Sequence, residues 1–594
     1  MNLVTCLDYP LDVETILRKK KAIKRVLEET KPVIEKNIAI LGGSTTTEIK
    51  NILELFLLKN AVKANFYESE YNQYYQEAVF ENQPLAAFKP DIIYIHTSHI
   101  NIGCFPKVSE SEQSVQSLLK QEKLKFQSIW EALDQYDCAI IQNNFDLPPD
   151  RSLGNLDFSE IHGKTHFISQ LNLFFAEQAR KNNNLYINDI HYLSASIGLT
   201  HWFDRSLWYQ AKYALSYTAI PALALNLSNI INAILGQSKK CLVLDLDNTL
   251  WGGVIGDDGL QGITIGKETA LGEAYVDFQR YAKELKQRGI ILAVCSKNDD
   301  QVAREGLSHQ DNLLSSEDMT VIKANWDPKY QNIREIAKEI NIHPDSLVFF
   351  DDNPVERDAV ASQIQEVSVP DIGDDIVHYI DYLDKNGYFE ATHLTGDDKQ
   401  RTVYYQNEKY RAEAKASFDD YQDFLRSLEM QAQIKHFDPI HLERITQLIN
   451  KTNQFNLTTK RYTLAEVKAV SENDQYLTLY GRLTDKYGDN GLIAITIGSI
   501  KNQQCHIDLW LMSCRVLKRD MELAMLDILV ARCRDRGVKE IIGYYIKSPK
   551  NNMVSGLYEK MGFHCIEQTP DLSVWKLILD NYKNLNTTIK VNND

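Results

Sequence analysis

Leu242–Thr249 reads LVLDLDNT: three apolar residues, then two aspartates one residue apart, then Asn and Thr. A short apolar run that stops at polar residues marks a buried strand entering a loop. Two further runs end in the same way. Ile290–Val294 leads into Cys295-Ser296-Lys297-Asn298, and Leu347–Phe350 leads into Asp351-Asp352-Asn353-Pro354. A fourth element, Asn325-Trp326-Asp327-Pro328-Lys329, lies between the second and third. Strands that alternate with helical patterns build a mostly parallel sheet, and such a sheet binds its ligand outside the carboxyl ends of its strands. The clusters are therefore expected to share one crevice.

The residue types in that crevice suit phosphoryl transfer. Asp245, Asp247, Asp351 and Asp352 would crowd four negative charges, which is unfavourable without a cation. Oxygen ligands completed by water select a hard ion such as Mg²⁺. An aspartate can attack phosphorus to give an aspartyl-phosphate, while Ser296 and Lys329 supply a hydroxyl and an ammonium for the phosphoryl oxygens. Asn353 as a cap, Pro354 at the first helical position and Glu356 three residues on predict a helix directly after the aspartate pair.

Outward from this region, the chain of 594 residues is long enough for three or four domains. Its 44% apolar and 25% charged residues are those of a globular protein and exclude a mainly disordered one. Lys and Arg total 65 against 81 Asp and Glu, and the net charge of −16 argues against a nucleic-acid or acidic-membrane partner. Nine cysteines without a CxxC pair make neither a disulfide framework nor a zinc site. With no secretory pattern at the start, the expected location is cytoplasmic. Tyr213–Ser238 carries no charge, yet Asn226, Asn229 and Asn232 recur every third residue and Gly236 follows, which predicts an amphipathic helix with a glycine stop rather than a membrane span.

Residues 31–237 form a first βαβ series, with strands expected at Asn37–Leu41, Asp91–Ile95, Cys138–Ile141 and Leu185–Ile187. A second runs from Lys240 to about residue 375. Asp397–Leu428 reads as a charged helical connector, residues 430–580 as an α+β domain, and the polar segment from Asn581 as a frayed tail.

The order DLDNT, Ser296, Lys329, DD resembles the four-motif series of the haloacid dehalogenase (HAD) superfamily. LVLDLDNTLWGGVIGDDG, LAVCSKNDD, NWDPKYQNI and VFFDDNPVERDAV are similar to its FkbH-type branch, the subfamily IIIC phosphatase-like proteins. The resemblance implies Asp245 as nucleophile and Asp247 as general acid/base that also gives its backbone carbonyl to Mg²⁺. It implies Thr249 supporting the loop, Ser296, Lys297 and Lys329 at the substrate phosphate, and Asp351 and Asp352 completing the metal site. Gly252–Gly262 is expected to form only a small flap, leaving room for a bulky partner. The family's proposed reaction moves the glyceryl group of 1,3-bisphosphoglycerate to an acyl carrier protein as a thioester, with loss of phosphate. Such chemistry wants a thiol. Cys295 is the best-placed acyl carrier in the chain, its other reading being a small buried residue ending a strand. Cys138, Cys241 and Cys514 have no catalytic context.

The flanks carry weaker resemblances. Gly42-Gly43-Ser44-Thr45 after a strand, with Gln142-Asn143-Asn144 after another, resembles the SGNH hydrolases. However, Asp189-Ile190-His191 has the wrong spacing for their late acid–histidine pair, and His201 and Asp204 stand in the wrong order. Ser44 is expected to cap a helix, in a docking domain rather than an esterase. Strands at Leu477–Arg482, Gly491–Ile497 and Cys505–Leu511, with Tyr558–Phe563, resemble the Gcn5-related acetyltransferase (GNAT) fold. Its cofactor loop is altered, because Lys518 and Asp520 stand where glycines would admit a pyrophosphate. Asn453-Gln454-Phe455-Asn456 and Asp489-Asn490-Gly491 are expected as turns and caps. The expectation is thus a multi-domain α/β protein: 1–237 SGNH-like, 238–375 HAD-like, 376–430 connector, 431–580 GNAT-like and 581–594 flexible. The expected function is Mg²⁺-dependent phosphoryl and glyceryl transfer. The alternatives are a plain HAD phosphatase on a small phosphometabolite or sugar phosphate, and a non-catalytic scaffold of a biosynthetic complex.

Overall fold

The computed structural model describes residues 3–29, 34–80, 82–394, 404, 407, 410–411, 414–415, 417–513, 516–548 and 550–592. Much of the expected connector, together with Cys514, lies outside the described residues. The chain divides into two units, Met1–Ile234 and Leu235–Asp594.

In the first unit, β1 (Ile34–Gly42), β2 (Val62–Glu68), β3 (Ile92–His96), β4 (Ala139–Asn143) and β5 (Leu185–Asn188) pair in parallel in the order β2-β1-β3-β4-β5. Strands covered on both faces need apolar residues throughout, and Ile38–Leu41 and Ile92–Ile95 are almost wholly buried. One line of polar side chains crosses this interior. The Asn226 amide donates to Asn188 at 2.6 Å, Asn188 to Asn143 at 2.7 Å, and Asn143 to His96 Nδ1 at 3.0 Å. The helix Ile220–Ile234 therefore uses Asn226 as an internal hydrogen bonder. Among the described residues no helix is long and apolar enough to cross a membrane. Ser44 does not cap a helix: the helix Thr47–Lys59 starts after Thr46, and the Ser44 hydroxyl is buried without a partner. Asp189 and Asp204, considered above as hydrolase acids, are N-caps of short helices.

The second unit contains two sheets. The first is β8-β7-β6-β9, all parallel, built from β6 (Cys241–Leu244), β7 (Ile291–Ser296), β8 (Val321–Ala324) and β9 (Leu347–Phe350). Its core extends past residue 375, since Ile376, Tyr379, Leu383 and Phe389 are buried in it. The second sheet has the order β15-β16-β14-β13-β12-β11-β10-β17. Its strands are β10 (Gln431–Lys435), β11 (Tyr476–Asp485), β12 (Gly488–Lys501), β13 (Gln504–Met512), β14 (Glu540–Ile546), β15 (His564–Gln568), β16 (Leu572–Ile578) and β17 (Lys590–Asn592). The segment from residue 581 is not a free tail. Lys590–Asn592 pairs with β10, and Asp527 accepts hydrogen bonds from the Tyr582 hydroxyl and from the Leu585 and Asn586 amides at 2.5–3.0 Å.

The two parallel neighbours β13 and β14 pair only over Gln504–Ile507 and Glu540–Gly543. Beyond that point another part of the chain fills the gap. Leu457 N donates to Trp510 O at 3.0 Å, and Leu457 O accepts from Ile546 N at 2.8 Å; Met512 N donates to Phe455 O at 3.0 Å. The NQFN motif, expected as a turn, is thus a wedge between two strands. Asn456 holds it: fully buried, its side chain donates to Thr452 O and accepts from the Thr458 and Thr459 amides. Nearby, Lys518 and Asp520 adopt φ of +65° and +60°, conformations that glycine would favour. Arg519 between them is buried against Asp485 and Asn490, which gives Asn490 its role.

Asn456→Ala leaves the buried Thr458 N–H and the Thr459 N–H without their acceptor and removes one of the donors to Thr452 O. It is expected to lower the unfolding free energy of the full chain by about 2–4 kcal/mol. Urea denaturation measures this, and a loss under about 0.5 kcal/mol would show that the wedge is not held by Asn456.

Candidate active site

The register Leu244↔Phe350 ends β6 and β9 at one level, and β7, in register with them at Val294, runs two residues further to Ser296. Asp245, directly after β6, donates its backbone N–H to Phe350 O at 3.0 Å, which sets it beside Asp351. Lys329, the first residue of the helix Lys329–Glu339, reaches between them: its ammonium is 2.8 Å from Asp245 Oδ2 and 2.6 Å from Asp351 Oδ2. Exposure is only 6% for Asp245, 3% for Lys329 and 0% for Asp351, so this is a desolvated charge cluster. Burial alone would lower the Lys329 pKa, but the two carboxylates hold it well above the ordinary lysine range. Burial, and next the Asp245 charge, raise Asp351. The same two causes raise Asp352.

Asp352 is positioned from two sides. Its N–H donates to Thr249 Oγ1 at 3.3 Å, and the Thr249 hydroxyl lies 3.4 Å from its carboxylate. Arg357 donates to the carbonyls of Asp351 and Asp352 at 2.8 and 2.6 Å. Carboxylate oxygens of Asp245, Asp351 and Asp352 lie within 4.8 Å of one another. Asp245 Oδ1 is buried and has no hydrogen-bond partner. Three carboxylates against one ammonium, with an orphaned oxygen among them, fit a hard divalent cation.

Asp247 stands apart from those three. Its Oδ1 accepts from Trp251 Nε1 at 2.9 Å and Ile255 N at 3.1 Å, and its Oδ2 accepts from Asn298 Nδ2 at 2.9 Å. Burial outweighs these donors and raises its pKa, which favours a proton-bearing acid. The left-handed Asn248 (φ +52°) turns the loop between Asp247 and Thr249. Ser296 is buried within 3.2 Å of the Asn298 amide.

Two expected site residues lie elsewhere. Cys295 alternates to the other face of β7, fully buried in an aliphatic layer with Val243, Ile333 and Ile336. Burial pushes its thiol far above the usual range. Lys297 points outward to Glu356 at 2.6 Å. Glu356 therefore does not close a capping box, and Asn353 N donates instead to Asp351 Oδ1 at 2.9 Å. Asn298, Trp251 and Arg357 act on the site residues without having been singled out as site residues. Asn298 was visible only as the end of the second motif, and Arg357 as a charge one helical turn past Pro354. In the first unit, His99 Nδ1 lies 3.0 Å from Asp146 Oδ1, and Trp202 donates to Asp146 Oδ2 at 2.8 Å. A histidine 47 residues before its acid matches no short motif.

Lys329→Met removes the ammonium and leaves buried carboxylates facing each other. A stability loss of about 3–5 kcal/mol is expected at about pH 8. Asp351, already raised by burial and by the Asp245 charge, then has a folded pKa further above its unfolded value. The loss is therefore full above the folded pKa and shrinks as pH falls through it. Urea unfolding at about pH 8 and about pH 5 measures this, and a pH-independent loss would mean that Lys329 acts by packing alone.

A family profile described as "FkbH, N-terminal domain" matches residues 37–232. No curated protein matches the chain. Among solved structures, the N-terminal part of BF1531 from Bacteroides fragilis, which contains a phosphatase domain and was crystallised with Mg, shares 31% identity at a TM-score of 0.58. The match covers 63% of this chain and 99% of that one. The ribosomal-protein-S18-alanine N-acetyltransferase from Escherichia coli aligns at 16% identity and a TM-score of 0.21, over 26% of this chain and 100% of that one. With that identity across nearly the whole length of the BF1531 fragment, and with a HAD-type acid cluster at one sheet edge, the chain belongs to the FkbH-type proteins.

Proposed function

We propose that the HAD-like part of this chain is a Mg²⁺-dependent phosphatase-type enzyme acting on a glycerate phosphate, with the glyceryl group passing to the thiol of an acyl carrier protein. The observation that carries the reading is the buried Asp245–Lys329–Asp351 set beside Asp352. Asp245 would attack phosphorus: an O–P bond forms to its carboxylate as the P–O bond to the leaving group breaks. Asp247 gives that leaving oxygen its proton and later takes one from the water that hydrolyses the aspartyl-phosphate. Lys329 and Ser296 hold phosphoryl oxygens. Asp245, Asp351, Asp352 and the Asp247 carbonyl would hold Mg²⁺, which supplies charge neutralisation when bound. Mg²⁺ in the BF1531 crystal supports this assignment.

Thioester formation needs a nucleophilic sulfur. Cys295 is enclosed, and burial raises its thiol pKa, so direct transfer is the better reading. Asp245 and Asp247 would then remove the ester phosphate of the glycerate, while at the acyl phosphate the carrier's thiol bonds to the acyl carbon, the carbon–oxygen bond to phosphate breaks, and the thiol's proton leaves with the phosphate. The eight described cysteines are free, which agrees with a reducing, cytoplasmic setting. Plain phosphatase action on a small phosphometabolite is the second reading, for which the acid cluster alone suffices.

Asp245→Asn is expected to fold and to lose phosphate release by several orders of magnitude, and chelation should do the same to wild type until Mg²⁺ is returned. Near-normal release by the folded variant would remove the aspartyl-phosphate route. Cys295→Ala is expected to change carrier loading less than about threefold while costing about 1–2 kcal/mol of stability. Intact-mass analysis of the carrier gives the answer, and abolished loading would return Cys295 to the reaction.

A further inference from the structure

Trp326 is 75% exposed, whereas every other tryptophan of the chain is buried or half-buried. Leaving so large an apolar side chain in water forgoes its burial energy. The backbone beneath it is nevertheless fixed. Asn325 N donates to Ser296 O at 3.2 Å, which fastens the segment after β8 to the end of β7. The side chains of Asn325 and Asn332 exchange hydrogen bonds at 3.2 and 2.8 Å, and Asn332 is buried on the helix Lys329–Glu339. Asn325 Oδ1 also accepts from Asp327 N at 3.0 Å. Lys329, three residues on, is anchored by Asp245 and Asp351. The indole is therefore presented from a pinned turn between Ser296 and Lys329, the residues assigned to the phosphoryl oxygens.

The strand order decides which part of a substrate meets it. Along the carboxyl edge, β9 leads into Asp351 and Asp352, β6 into Asp245, β7 ends at Ser296, and β8 leads into Trp326. The acids that fit a cation lie toward β9. Asp247, which protonates the leaving oxygen, is drawn the other way. Its Oδ2 accepts from Asn298, two residues past the end of β7, and its Oδ1 accepts from Ile255 N on the flap. The leaving group thus exits on the β7–β8 side. Val254, exposed and directly before Ile255, adds a second apolar side chain at that exit.

We propose that Trp326 is a specificity-determining residue whose indole binds an uncharged carbon chain, the part of the substrate that extends beyond the leaving oxygen. This rests on the roles given above to Asp245 and Asp247. An indole face offers more apolar area than a three-carbon hydroxy acid can cover, and it gains most from a longer chain laid against it. Two sources carry such a chain: the alkyl part of a free phosphate ester, or an arm joined to the phosphoglyceryl group as a thioester.

Hydrolysis of hexyl phosphate and of glycerol phosphate by the full chain with Mg²⁺ tests this, since both esters release a primary alcohol and differ in the tail. Trp326→Ala should raise KM for hexyl phosphate at least about tenfold, with kcat within about threefold, and leave glycerol phosphate within about twofold. Trp326→Phe should keep most of the preference. Equal losses for both esters, which a merely structural role would give, overturn the proposal, as does an unchanged KM for hexyl phosphate. Calorimetry on Asp245→Asn, which does not turn the esters over, separates binding from reaction. Hexyl phosphate should bind at least about tenfold tighter than glycerol phosphate, and adding Trp326→Ala should erase the difference. If wild type hydrolyses neither ester while that pattern holds, the phosphatase-type reading falls and the role of Trp326 stands. Equal binding of the two esters, or no binding of hexyl phosphate, overturns it. A pantetheine thioester of phosphoglycerate with kcat/KM at least about tenfold above that of hexyl phosphate assigns the chain to an arm, and a smaller ratio assigns it to a free ester.

Discussion

Two carboxylates and one ammonium are held out of water at a single sheet edge, with a third, half-buried carboxylate beside them, and much of the second unit answers to that. Asp245, Asp351 and Lys329 are each more than nine-tenths buried, where an unpaired charge would be prohibitive. The ammonium can sit 2.8 and 2.6 Å from the two acids only because β6 and β9 end in register and the helix after Pro328 begins at that level. The remaining negative charge is what a bound cation would balance. Supporting contacts follow from the same need. Thr249 and Arg357 keep Asp352 and the pair's carbonyls aimed inward, and Asn298 joins Ser296 to Asp247.

The C-terminal sheet solves a different problem. Two parallel strands that separate leave unpaired backbone groups, and each buried one is costly. Here the chain supplies its own strand, Phe455–Leu457, hydrogen-bonded to both sides. That insertion closes the gap between β13 and β14, and the loop before Met521 carries side chains at Lys518 and Asp520 in left-handed conformations.

Much of the site was legible because its residues sit where apolar runs stop, and a strand end is a local event. Cys295 shows where such reading stops. It adjoins Ser296, but side chains alternate along a strand, and only the helix carrying Ile333 and Ile336 makes its side an apolar one. Lys297 was drawn outward by Glu356, a partner 59 residues on, as the numbering gives. The segment after Asn581 looked free because nothing local holds it, whereas Asp527 and β10 do. His99 and Asp146 meet only because β3 and β4 are neighbours.

By itself, the sequence determined the parallel βαβ build, the four acids and the lysine at strand and helix ends, and the absence of glycine from positions 518 and 520 before Met521. These depend on periodicity and composition over a few residues. The tertiary structure decided which thiol is sealed away, which lysine is neutralised, and how a motif 50 residues before β13 becomes part of its sheet. Burial and ion pairing are set by segments far apart in the chain: Lys550 meets Asp345 across 205 residues, and Lys240 meets the Lys451 carbonyl across 211. No local pattern encodes such a meeting, because its free energy exists only once both segments have left water together.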